Sequence, residues 1–122
     1  GWVIGGLPFE RIEVTMILFR ADLYRHNPQA VKAFLRAKLQ AIAWINQHPD
    51  KARSVLARRL DLTQEVAQKV RLPRWSLDGR HDPALLESMQ PLLIDIGILK
   101  TPIPISQLSD ETLLAEVLAE KR

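Results

Sequence analysis

Cysteine is absent from the 122 residues, which removes disulfides, thiolate zinc sites and cysteine nucleophiles together. The compartment stays open, because cysteine-free chains occur on both sides of a membrane. Long apolar runs are also missing. The longest, Val14 to Phe19 and Ala41 to Ile45, fall far short of the ~20 residues that span a bilayer. Glycine is sparse, and "GWVIGG" lacks the Gly-Lys-Ser ending of a phosphate-binding loop. No serine sits in a nucleophile elbow, so catalysis has no visible residues. The opening stretch "GWVIGGLPFER" has neither the basic n-region nor the apolar h-region of a signal peptide and reads as the interior of a longer protein.

What remains is the composition of a folded protein: 47% of residues are hydrophobic and 25% are charged. The length suits one compact domain. The net charge of +3 is unevenly spread, with 13 Lys and Arg against 5 Asp and Glu between Arg20 and Arg80, and 4 against 9 outside that span. A basic middle is flanked by acidic ends.

"IEVTMILF", Ile12 to Phe19, is β-branched and apolar enough to predict a strand buried on both faces, entered through "GGLP". After a short helical turn in "RADLYRH", Asn27 offers a cap oxygen and Pro28 the preset φ of a first helical position. A helix is expected to Gln47, with Val31, Phe34, Leu35, Leu39, Ile42 and Ile45 as its buried stripe and Lys32, Arg36 and Gln40 as its wet one. Alanines 30, 33, 37, 41 and 43, with Trp44, widen the apolar arc, so this helix is expected to pack on two sides.

Pro49 opens the next helix, with Ala52, Val55, Leu56 and Leu60 inward and Lys51, Arg53, Arg58 and Arg59 outward. Thr63 caps another, and "RLPRWSLDGRHDP" reads as a long loop. Pro83 starts a helix through Ile96 that Gly97 closes, and a last helix begins near Asp110. The plan is one strand followed by five or six helices.

His26, His48 and His81 each stand within two residues of a proline at a helix start, and none makes the i, i+4 pair of a helical metal site. They read as boundary residues, and no metal or other cofactor is expected. "RRLDLTQEVAQKV" can be drawn as a helix-turn-helix carrying Gln64, Gln68, Lys69 and Arg71. Solvated cations on amphipathic helices are the commoner meaning of such a pattern, so nucleic acid is not the expected partner. Trp44 and Trp75 read as core or hinge aromatics rather than stacking platforms.

The succession of "NPQAVKAFLRA", "WINQHPDKA", "RWSLD" and "DIGILKTP", covering about residues 12 to 108, resembles the C-terminal part of ABC-transporter substrate-binding proteins of the nitrate, sulfonate, taurine and thiamine-precursor type. The resemblance implies an α/β fold of the type II periplasmic-binding-protein kind. This chain, residues 1–122, would be a mostly helical terminal segment returning to the first lobe, with one strand. It implies no reaction. An anionic or pyrimidine-like solute would be captured between two lobes outside the cytoplasm and handed to a permease, and the long helix would pack on its own lobe's sheet.

On that reading the pocket lies where the strand begins, with Arg11, Glu13 and Thr15 as ligand-binding residues and Arg11 a partner for an anion. Arg11 and Glu13 read equally well as a surface pair. A strand without its neighbours would seek a second chain, so a homo-oligomer is expected. The alternatives are a helical interaction or regulatory module and, behind it, the nucleic-acid binder.

Overall fold

Residues 16–72 and 75–120 are described by the computed structural model. Within them run seven helices: α1 (Ala21–His26), α2 (Pro28–Gln47), α3 (Pro49–Arg59), α4 (Gln64–Lys69), α5 (Pro83–Asp95), α6 (Ile105–Leu108) and α7 (Thr112–Ala119).

The α/β expectation is overturned, because the described residues contain helices only, with neither strand nor sheet. Residues 12–15 of the expected strand lie outside the described residues. Residues 16–20 are in no ladder: Arg20 is extended, at φ −61° and ψ 138°, yet no described segment pairs with it. Extended backbone becomes a strand only when a second segment takes its N–H and C=O groups.

The helix starts follow from local chemistry. The Asn27 side chain accepts from Ala30 N–H at 3.2 Å, and Thr63 and Asp82 do the same for Val66 at 3.3 Å and Leu85 at 3.3 Å. Pro28, Pro49 and Pro83 take first-turn positions, where a missing N–H costs nothing. His26 and His48 each donate from Nδ1 to the carbonyl four residues back, so both finish helices. Gly97, at φ +78°, ends α5 with Gly97 N–H bonded to Ile94 and Ile98 N–H to Leu93, the pair of bonds of a Schellman stop.

The core forms where α7 lies on α2. Leu39, Leu114 and Val117 are its buried centre, with Leu35 and Leu118 packed around them. Each such side chain contributes about 1.5–3 kcal/mol on burial. The stripe expected to be wet is partly under α7: Lys32 pairs with Glu116, and Arg36 grips Glu120 through two bonds of 2.7 and 2.9 Å. Repeats of four residues on both helices bring these pairs into step.

α3 departs from its expected stripe. Ala52 and Ala57 are buried, whereas Val55 and Leu60 are exposed and Arg53 turns inward to the Val70 carbonyl. Ala67 of α4 is fully buried, so this pair of helices is joined through alanines. Further on, buried Gln90 donates to Ile103 C=O at 2.9 Å and accepts from Ile103 N–H at 2.6 Å. Ile103 stands between two prolines, and the amide of Gln90 satisfies both of its backbone groups as a strand neighbour would.

Candidate functional site

A cavity of about 600 Å³ opens between residues 16–19, α1, α2 and the start of α7. Val31, Leu35, Leu113 and Leu114 form its apolar floor, and Met16, Ile17 and Leu18 form an exposed apolar margin. Trp75, still 37% exposed, stands at the other side. The site is shaped for something with an apolar body.

Its acids are engaged. Glu111 accepts from Arg80 at 2.7 Å and from His81 N–H at 3.0 Å, holding the 75–81 loop against the start of α7. Asp110 accepts from Thr112 N–H at 2.9 Å, and the Thr112 hydroxyl, then that N–H, hold its carboxyl below the usual range. In the neighbouring loop, outside the lining, Asp78 is lowered likewise, first by the Ser76 hydroxyl and then by Arg80 N–H. The Tyr24 hydroxyl is buried beside Asp110 without the geometry of a hydrogen bond. Burial first, and then that carboxylate, push the phenol up.

Its cations are not so engaged: neither Arg25 nor half-buried Lys38 makes an ion pair with any described residue. An ammonium beside an apolar floor lacks the full hydration that makes surface ion pairs weak, so a fitting anion would gain from meeting it.

The expected site residues Arg11, Glu13 and Thr15 lie outside the described residues. Among the described residues the cavity is lined from Met16 onward. Lys38 carried a signal in the sequence. It occupies the same helical line as Val31, Phe34, Ile42 and Ile45, a cation set inside an otherwise apolar arc. Arg25 carried none.

Among the described residues no group of three His, Asp or Glu gathers to hold a metal ion, and no helix is long and apolar enough to cross a membrane. The drawn helix-turn-helix has as its second member α4, only six residues long, whose Lys69 is paired with Glu65 at 2.6 Å. Trp44 and Trp75 are both partly exposed rather than core residues; Trp44 stacks on His48 with ring centres 5.3 Å apart. Comparison with protein-family models, with curated proteins and with solved structures yields no match.

Proposed function

We propose that this chain is a helical segment of an extracytoplasmic solute-binding component of an ABC importer, with no catalysis of its own. Its cavity would form one wall of a site for a small organic anion that is then passed to a permease. The observation that carries the reading is the cavity's inequality of charge: an apolar floor, acids already engaged, and two cations without an ion partner among the described residues. The resemblance in the sequence supplies the transporter context, and the helix starts at Pro28 and Pro49 fall on its "NPQAVKAFLRA" and "WINQHPDKA" elements.

Calorimetry tests this with nitrate, a short alkyl sulfonate and a pyrimidine phosphate. A site that buries most of its ligand needs both walls. The 122-residue chain alone should therefore give no resolvable heat at micromolar concentrations, whereas the product of the complete reading frame binds one of these anions. Arg25→Gln with Lys38→Gln should weaken that binding at least tenfold. Tight binding by the chain alone, or indifference of the complete product to all three anions, overturns the reading.

A second reading, a helical interaction module, is favoured by one separate observation: Phe34 and Trp44 of α2 are 48% and 41% exposed.

A further inference from the structure

The cavity beside α2 is also where the chain gathers its rings. The sequence holds 3 Phe, 1 Tyr and 3 Trp, and Phe19, Tyr24 and Trp75 all line this one space. Two of the three are already committed on one side. Phe19 meets Phe34 edge to face with ring centres 5.5 Å apart, and Tyr24 keeps its hydroxyl buried beside Asp110, so the cavity meets its ring rather than its oxygen. Trp75 stacks on no other ring among the described residues and is 37% exposed.

The loop that follows Trp75 is fastened to the floor of the cavity. Gly79 N–H donates to Ser76 C=O at 3.0 Å and closes a turn. At φ +70°, Gly79 lies so close to the core that a Cβ there would stand 3.0 Å from Leu39 Cδ2. Just beyond the turn, Glu111 accepts from Arg80 and from His81 N–H. A wall tied down at these points presents its indole without waiting for a ligand to order it, which removes a cost of binding.

Size and charge narrow what that wall can meet. About 600 Å³ is far more than an inorganic anion fills and lies within the range of sites for organic molecules. A ring offered to a ring gains from offset or edge-on contact beyond the area it buries. Arg80 neutralises Glu111, so the described lining is left with Arg25 and Lys38 against Asp110, two positive charges to one negative. One negative charge on the ligand balances that surplus, and two exceed it. The planar guanidinium of Arg25 matches the fork of a carboxylate.

We propose that the cavity takes an aromatic carboxylate of single charge, with its ring against Trp75 and its carboxylate toward Lys38 and Arg25, and that Trp75 sets the preference for a ring. The inference rests on the anion-binding reading above and narrows its ligand.

Calorimetry on the product of the complete reading frame at about pH 8 tests it, with benzoate and cyclohexanecarboxylate added to the three anions already named. The two carboxylates share a charge and a size and differ in the ring. Nitrate lacks a body, the alkyl sulfonate lacks a ring, and the pyrimidine phosphate has a ring but close to two charges at that pH. Benzoate should bind about fivefold more tightly than any of the other four, or better. Trp75→Leu should bring benzoate down to the level of cyclohexanecarboxylate, whose own binding stays within about twofold, and Trp75→Phe should keep the preference. Lys38→Gln should weaken both carboxylates alike. Circular dichroism checks that each variant is folded. A product that binds one of the three earlier anions yet ranks benzoate no higher than cyclohexanecarboxylate, or a Trp75→Leu variant that keeps the preference, overturns this inference and leaves the anion-binding reading standing. If none of the five binds, both fall together.

Discussion

Leu39, Leu114 and Val117 close the contact between α2 and α7, while the buried residues of α3 and α4 are Ala52, Ala57 and Ala67. The first contact joins parts of the chain far apart in sequence, gains its stability from large side chains and is flanked by two ion pairs. The second joins neighbours, and its alanines bring the backbones close while transferring little apolar surface. A contact of the first kind fails when emptied, and one of the second kind fails when filled.

The largest effect should come from Leu39→Ala, which removes a side chain only 1% exposed and leaves a cavity between α2 and α7. Denaturant unfolding should show a loss of about 2–5 kcal/mol. A loss under about 1 kcal/mol would mean that α7 contributes little there and would erase the contrast. Next in size, Ala67→Leu should cost about 1–3 kcal/mol by forcing α4 away from α3. A neutral or stabilising result would show room at that contact and make the two regions alike.

Acid should separate the regions most gently. The carboxyls of Asp110 and Glu120 are lowered, Asp110 chiefly by the Thr112 hydroxyl and Glu120 chiefly by Arg36. A carboxyl with a depressed folded-state pKa contributes stability that is present above its unfolded value, about 4, and is lost as pH falls through the folded value. Amide spectra recorded from about pH 6 down to about pH 2 should therefore show Leu114 and Val117 losing their native environment before Ala67 does. The reverse order would place the acid-sensitive contact in the wrong half of the molecule. At the alkaline end the sign inverts. The raised Tyr24 phenol favours the folded state while protonated, and that contribution is lost as pH rises through its ordinary range.

The helix punctuation was legible because it depends on neighbours in sequence. Asn27, Thr63 and Gly97 do what their positions suggest, and Pro28, Pro49 and Pro83 stand where a proline costs no bond. Which face of a helix is covered depends on distant partners. Periodicity therefore admitted Val55 and Leu60 to the core although both are exposed, and left Lys32 and Arg36 in water although α7 reaches them. The strand failed for a related reason: an apolar, β-branched run reports a wish for burial, and residues 16–19 satisfy part of it by edging a cavity. The proposed site was half visible, in Lys38, while the expected trio of Arg11, Glu13 and Thr15 is not among the described residues. Nothing in the sequence announced the two hydrogen bonds between the Gln90 amide and the Ile103 backbone, since a glutamine preceding a proline in a helix has no special signature.

The Arg36–Glu120 bridge spans 84 residues, whereas the Arg53–Val70 bond of the α3–α4 pair spans 17. Joining the ends of the longer segment costs about 1.4 kcal/mol more in loop entropy than joining those of the shorter one. Order of assembly follows from that difference. The α3–α4 pair closes early and unaided, and α7 docks only after the intervening helices have shortened the path back to α2. A chain emerging residue by residue would hold its long helix with Leu39 bare until the two turns of α7 were made, and that interval is when this part of it is most open to aggregation.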